Sequence, residues 1–162
     1  MTQPLWVATR KGLFRLDARD DWRPAAPAFL GDPVSMVLDD TRDGAVYAAL
    51  NLGHFGCKLH RSDDRGATWT EVGVPSYAGL PGTTRPPSPD GAPAAAEPPT
   101  LKMIWALEAG GADQPGRIWA GTLPGGPFRS DDRGATWQRS ATRRNRPESP
   151  RWFGAGGDPP GI

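Results

Sequence analysis

Two pairs of adjacent aspartates are the side chains that most suggest chemistry. Both pairs lie in a nine-residue segment, Arg-Ser-Asp-Asp-Arg-Gly-Ala-Thr-Trp, which occurs identically at 61–69 and at 129–137. Oxygen ligands at alternate positions of a loop of about a dozen residues can bind Ca²⁺, but here an arginine follows each pair at once. Asp and Ser accept hydrogen bonds from nearby backbone N–H groups, and glycine takes positive φ without steric cost. The segment therefore predicts hairpin turns at 62–68 and 130–136, and we predict no metal site.

A second group of polar side chains lies in predicted loops and could contact a ligand. His54 lies between Gly53 and Phe55, in a loop that is longer than its counterpart in the next unit. It could bind a ligand or act as an acid or base, or it could be a loop histidine with no special role. If the repeated turns lie at one end of a sheet, the loops between its second and third strands lie at the other end. The ligand-binding candidates at that end are Arg10, Lys11, Asn51 and His54.

Other titratable residues are assigned to structure. His60 lies in a predicted strand, and Asp39 and Asp40 are expected to form a turn. The sequence has no Cys/His metal-ligand spacing, no phosphate-binding Gly-x-x-x-x-Gly-Lys loop and no nucleophile elbow. We therefore assign no catalytic residue, no metal and no cofactor.

Short β-type runs surround each repeated segment. The predicted strands are 34–39, 45–50, 57–62 and 68–73, and then 101–108, 117–122, 127–130 and 136–139. Each unit thus has four short strands joined by tight turns, which is what a blade of a β-propeller requires. A Trp opens the last strand of each unit. Five of the seven Trp are expected to pack between blades, with stacking on a sugar as the alternative for any one of them: Trp6, Trp69, Trp105, Trp119 and Trp137.

The first thirty residues contain a third, degraded copy of the unit. Residues 5–15 align with the second and third strands, Asp17 to Trp22 stand in place of the turn, and an innermost strand is missing. The chain then divides into a partial blade at 1–30, a blade at 31–75, a Pro-rich connector at 76–100, a blade at 101–140 and a connector to a missing blade at 141–162. We expect the 162 residues to be the N-terminal part of a longer propeller.

Composition limits the classes of function. The net charge of +1 argues against an electrostatic nucleic-acid binder. The single Cys57 cannot form an internal disulfide, and no apolar stretch of about twenty residues suggests a membrane span. A soluble cytoplasmic protein without membrane contact is the expectation.

The repeated segment matches the pattern Ser-x-Asp-x-Gly-x-Thr-Trp of the Asp-box, or BNR repeat. The matching residues are Ser62, Asp64, Gly66, Thr68 and Trp69, and again Ser130, Asp132, Gly134, Thr136 and Trp137. With Ala8–Phe14 near the start and the 118–122 strand, the chain resembles Asp-box propeller proteins of the sialidase-like, or WD40/YVTN/BNR-like, group. The resemblance implies an all-β fold: a partial β-propeller of four-stranded antiparallel blades, with each Asp-box on the turn between the two outer strands.

The same resemblance raises two functional hypotheses. Sialidases use an arginine triad, a Tyr nucleophile with a Glu partner, and an acidic proton donor. Here the first Arg lacks the Arg-Ile-Pro motif, Tyr47 lies in a strand and Tyr77 in a connector. The leading hypothesis is a non-catalytic propeller module that binds a carbohydrate, another small ligand or a partner, and that associates with itself through open blade faces. The alternative is a sialidase-like glycoside hydrolase of the exo-alpha-sialidase type, inactive when truncated.

Overall fold

A computed structural model describes residues 3–78 and 99–140. The predicted connector at 141–162, and most of the one at 76–100, lie outside these residues. The described strands are β1 (Leu5–Thr9), β2 (Gly12–Leu16), β3 (Val34–Asp39), β4 (Val46–Asn51), β5 (Cys57–Ser62), β6 (Thr70–Val72), β7 (Met103–Ala109), β8 (Ile118–Leu123), β9 (Gly126–Ser130) and β10 (Gln138–Arg139). Short 3₁₀ turns lie at Ala18–Asp20 and Gly53–Phe55. No helix in the described ranges is long and apolar enough to cross a membrane.

Two four-stranded antiparallel sheets form the middle and third blades. Their strand orders are β3-β4-β5-β6 and β7-β8-β9-β10, so each chain segment pairs with the one before it. Both innermost strands have a register shift at the same place, between Val34 and Met36 and between Ile104 and Ala106. Ser35 lies at the first shift and donates to the carbonyl of Ile104 at 2.7 Å, so the irregular points of the two blades are joined directly.

The outermost strands begin later than the sequence predicts. β6 starts at Thr70 and β10 at Gln138, two residues after the predicted starts. The reason is local: the backbone N–H groups of Thr68 and Thr136 bond to aspartates of the turn and are not available to a strand ladder.

The first blade is a hairpin of β1 and β2 with a further segment beside β2. Isolated bridges pair Leu13 with Ala28 and Leu16 with Pro24, so residues 24–28 occupy the outer position. Among the described residues, no strand pairs with β1 on the side away from β2. Two consecutive left-handed residues, Asp21 and Trp22, turn the chain between β2 and this segment.

Two apolar clusters hold the blades together. One, between the first and middle blades, is built on Leu13, Val34, Ala48 and Leu50. The other, between the middle and third blades, contains Tyr47, Ala49, Leu59, Tyr77, Ile104, Ile118 and Phe128. Every residue from Val46 to Leu50 is therefore buried, because β4 has a neighbouring blade on each side. The equivalent strand β8 alternates between buried and half-buried residues, since the described ranges cover only one of its faces. The chain is an all-β partial propeller.

Candidate functional site

The first repeated turn is held by a closed set of hydrogen bonds. The carboxylate of Asp64 accepts from the backbone N–H of Thr68 at 2.8 Å, from its hydroxyl at 2.6 Å, and from the hydroxyl of Ser62 at 2.7 Å. The Ser62 oxygen in turn accepts from the N–H of Gly66 at 2.7 Å. The hydrogen bond from Thr68, above all, lowers the pKa of Asp64 to about 2.

The second turn repeats this arrangement. Asp132 accepts from the N–H of Thr136 at 2.8 Å and from the hydroxyl of Ser130 at 2.7 Å, while Ser130 accepts from the N–H of Gly134 at 2.8 Å. The hydrogen bond from Thr136 lowers the pKa of Asp132. The prediction that each aspartate accepts backbone N–H bonds within its own turn is confirmed. Both carboxylates are committed to the turn, and no group of three His, Cys, Asp or Glu within 3–78 and 99–140 could hold a metal ion.

The tryptophan that ends each repeat packs on the preceding blade. Trp69 contacts the rings of Trp6 and Phe29 at centroid distances of 6.4 and 5.0 Å. Trp137 donates from Nε1 to the carbonyl of Gly73 at 2.9 Å. Both side chains are half-buried, less covered than the sequence predicts. The prediction that Trp105 packs between blades is wrong: it is 42 % exposed, because it lies at the register shift of β7 with no blade beside it in the described ranges.

Two further carboxylates at the end of the blades where the repeated turns lie form ion pairs with arginines. Asp39, predicted to be a turn former, pairs with Arg65 at 2.6 Å. Asp40, which is 1 % exposed, receives two hydrogen bonds from the guanidinium of Arg42 at 2.8 and 2.7 Å and one from the Arg42 backbone N–H at 3.1 Å. Arg42 also donates to the carbonyls of Gly111, Gln114 and Arg117, so it clamps the middle blade to the third. The side-chain hydrogen bond with Arg42 lowers the pKa of Asp40. Sequence reasoning missed this clamp; the Asp-x-Arg spacing was the one signal that pointed to it.

The four ligand-binding candidates lie at the opposite end. Arg10 and Lys11 form the β1–β2 turn, Asn51 ends β4, and His54 lies in the 3₁₀ turn that follows. The loop at 29–33 connects these elements through backbone hydrogen bonds. The N–H of Gly31 donates to the carbonyl of Lys11 at 3.1 Å, and the backbone N–H of Asn51 donates to the carbonyl of Pro33 at 2.9 Å. Among the described residues no hydrogen bond or ion pair links the four candidate side chains to one another.

Two apolar side chains at this same end were not found from the sequence. Leu30 is 77 % exposed and Phe55 is 82 % exposed, although residues of these types are usually buried. Leu30 lies in the loop beside Lys11, and Phe55 follows His54 directly. Each neighbours a glycine with positive φ, Gly31 or Gly56, and this turn-tip position is the signal that indicates exposure. We name this surface the loop end: Arg10, Lys11, Leu30, Asn51, His54 and Phe55.

The remaining chemically capable side chains serve the interior. His60 packs on Phe29 at a centroid distance of 4.9 Å, and burial lowers its pKa. The Cys57 thiol is buried, which raises its pKa. Tyr47 and Tyr77 are both buried, and the Tyr77 hydroxyl bonds with Thr122. Neither tyrosine is placed to attack a substrate.

Comparison with known proteins supports the fold. The chain is similar to a solved structure described as YCF48 bound to D1 peptide, with 16 % identity and a TM-score of 0.51 over 84 % of this chain and 35 % of that one. This likeness shows a β-propeller fold, and the chain spans about a third of the length of that relative. No protein-family model matches the sequence, and no curated protein matches it.

Proposed function

We propose that the chain is a partner-binding module of an Asp-box propeller, and that its loop end recognises an extended acidic peptide with apolar side chains. The observation on which the proposal rests is that two apolar side chains, Leu30 and Phe55, are exposed at the same end of the blades as the cations Arg10 and Lys11.

The contrast between the two ends supports this choice. At the turn end, the carboxylates of Asp39, Asp40, Asp64 and Asp132 are engaged by arginines or by their own turn. Such groups stabilise blades and leave little capacity for a ligand. At the loop end, Arg10 and Lys11 project into solvent, so a partner can pair with them.

The type of partner follows from the chemistry of the loop end. Two cations favour acidic side chains or a C-terminal carboxylate, and the ring of Phe55 with the Leu30 side chain favours aliphatic or aromatic neighbours in the peptide. The structurally similar propeller is described as bound to a peptide, which supports partner binding for this shape of molecule in general. Its residues are not carried over at 16 % identity.

The assignment to the Asp-box repeat group is part of the proposal. Its support is the identical bonding of Ser62, Asp64 and Thr68 with that of Ser130, Asp132 and Thr136. In this group the turn marks the blade and not a reaction, because fold and site are separate properties.

Selection from a random peptide display library tests the proposed function. The enriched peptides should combine Asp or Glu with aliphatic or aromatic residues. The variant Arg10→Glu/Lys11→Glu should weaken binding of a selected peptide by about tenfold or more, and binding should fall as salt rises. Phe55→Ser should weaken it independently of salt.

A matched charge reversal at the turn end serves as the control. Arg19→Glu/Arg23→Glu changes the net charge equally on exposed residues of the first blade and should leave peptide affinity unchanged. Equal loss in both double variants, or enrichment of basic peptides, would reject the loop end as the site. Release of a fluorophore from a model sialoside, abolished by Arg10→Ala, would instead favour the hydrolase alternative.

A further inference from the structure

Each blade has a face directed toward the following blade, and this trailing face repeats one pair of side chains. In each of the three described blades, a Trp or Tyr lies directly opposite an arginine of the next strand, at equivalent positions of β1 and β2, β4 and β5, and β8 and β9. The pairs are Trp6 with Arg15, Tyr47 with Arg61, and Trp119 with Arg129.

The first two pairs are covered by the turn of the next blade. Arg15 donates to the carbonyl of Arg65 at 3.3 Å, and Arg61 donates to the carbonyl of Arg133 at 3.4 Å. In both turns that carbonyl belongs to the left-handed residue just before the turn glycine. Gly66 lies so close to the Trp6 ring that a Cβ placed on it would come within 2.4 Å of the ring.

The third pair has no such cover in the described part of the chain. Arg129 bonds to Gln138 at 3.3 Å and pairs with Asp131 at 3.0 Å, both in its own blade. Trp119 is half-buried, and Trp105 in the neighbouring strand β7 is 42 % exposed. The trailing face of the third blade therefore presents the aromatic and arginine half of an interface that the molecule builds twice elsewhere.

The first blade presents the other half. Its leading face, directed away from the middle blade, exposes Leu5 and Val7 at 53 % and 37 %, and the turn after β2 exposes Trp22 at 48 %. The equivalent residues of the middle blade, Val46 and Ala48, are fully buried. The turn of the first blade also keeps the backbone feature of the other turns, two consecutive left-handed residues, here Asp21 and Trp22.

We propose that two copies of this chain associate head to tail, with the leading face of the first blade of each copy seated on the trailing face of the third blade of the other. Arg129 then donates to the backbone of the 17–22 turn of the second copy, and Trp119 packs against Trp22. The turns of the other two described blades of a second copy are already seated on their own preceding blades, so among the described blades the first is the one available.

Closure follows from the number of blades. A contact between two different faces gives a ring if the rotation closes and a filament if it does not. The described ranges contain three blades, so two copies of them give six, within the range of about 4–8 blades seen in propellers. Two identical contacts then cover the faces that the described ranges leave open in both copies.

Sedimentation velocity over a range of concentrations tests the proposal. The unmodified chain should sediment with twice the mass of a single copy. Trp119→Ser/Arg129→Glu on the trailing face, and Leu5→Ser/Val7→Ser on the leading face, should each raise the dissociation constant by about thirtyfold or more, as removal of interface hot-spot residues does. Glu71→Lys, on the exposed outer strand of the middle blade, should leave the mass unchanged.

Mixing the two variants distinguishes head-to-tail pairing from pairing of like faces. Each variant keeps one intact face, so an equimolar mixture should regain a species of twice the single mass, although neither variant alone does. The Leu5 and Val7 variant alters exposed side chains, so far-ultraviolet circular dichroism should show it folded. A single-copy mass for the unmodified chain, masses that grow beyond two copies, or a mixture that stays at one copy would each overturn the proposal.

Discussion

At the scale of single residues, the carboxylates of this chain act as acceptors that hold turns and arginines in place. Asp64 and Asp132 are exposed, yet each accepts three hydrogen bonds from groups of its own turn. Asp40 is buried and depends on one guanidinium. The two kinds of site differ in solvent contact, so they respond differently to pH and to substitution.

The exposed carboxylate of Asp64 gives a prediction on how the stability of the chain depends on pH. Its folded pKa, about 2, lies below the ordinary value of 3.8, so its contribution to stability is fully present above about pH 4 and is lost as the pH falls toward 2. We expect Asp64→Ala to lower the Tm by a few degrees at pH 7 and to show a weaker fall in Tm between pH 4 and 2 than the unmodified chain.

Thermal unfolding followed by circular dichroism at pH 7, 4, 3 and 2 makes this measurement. Asp113→Ala is the matched control, because Asp113 is an exposed turn aspartate of the third blade. A constant difference in Tm between Asp64→Ala and the unmodified chain across the whole range would contradict the role of the ionised carboxylate.

The buried carboxylate of Asp40 gives a second prediction, on the substitution of its partner Arg42. Arg42→Ala leaves the buried Asp40 carboxylate without its guanidinium partner and removes the side-chain hydrogen bonds to three carbonyls of the third blade, so unfolding free energy should fall by about 3 kcal/mol at pH 7. In the variant, burial without the guanidinium favours the protonated form of Asp40. The loss should therefore shrink as the pH falls toward 4.

Urea unfolding at pH 7 and pH 4 measures both effects. The double variant Asp40→Asn/Arg42→Ala is the control, because it removes the buried charge and should be less destabilised at pH 7 than Arg42→Ala alone. If the double variant is the less stable of the two at pH 7, the packing of the Arg42 stem outweighs the charge, and the electrostatic account fails.

At the scale of elements, the strands and turns were predictable because their signals are local. The Ser-x-Asp-x-Gly spacing specifies its own hydrogen bonds, and short β-type runs bounded by turn signals mark β8 and β9. The contacts of Arg42 with carbonyls of the third blade and the half-burial of Trp69 were not predictable. Both depend on how one blade lies against another, which a pattern within one strand or turn does not encode.

Contact between blades gives a prediction on three glycines with nearly equal backbone angles. Gly31, Gly134 and Gly66 have φ of 93°, 86° and 91°. A Cβ added to Gly31 would have no other atom within 4 Å. A Cβ added to Gly134 would lie 3.3 Å from the Val72 side chain, and one added to Gly66 would lie 2.4 Å from the Trp6 ring. Substitution by Ala should cost about 1 kcal/mol at Gly31 from backbone strain alone, more at Gly134, and about 2–4 kcal/mol at Gly66, where overpacking is added.

Chemical denaturation of the three Ala variants gives the order directly. Because φ is matched, the difference between Gly66→Ala and Gly31→Ala reports the contact between the first and middle blades. Replacing Trp6 by Leu in the Gly66→Ala background should recover part of the difference. Equal losses at all three positions would show that backbone strain alone decides the outcome.

At the scale of the whole molecule, the blades differ in how many neighbours they have. The middle blade is covered on both sides, whereas the first and third blades each leave one face open within the described ranges. Stability in a stack of repeated units is the sum of unit and neighbour terms, so a unit with two neighbours opens least often. The sequence repeat predicts the units, but it does not say which unit has two neighbours.

Hydrogen exchange should show this difference between two equivalent central strands. β4 and β8 each pair with a strand on both sides, so their backbone bonding is alike. β4 is buried on both faces, and β8 on one. We expect the amides of 46–50 to exchange at least about ten times more slowly than those of 118–122. The measurement uses the Leu5→Ser/Val7→Ser variant, in which the third blade is unaltered and association is weakened.

In the unmodified chain, rising protein concentration should slow exchange in β8 and leave β4 unchanged, because association covers the third blade. Equal exchange in the two strands of the variant would mean that the blades open as one unit, and that a neighbouring blade adds no local protection.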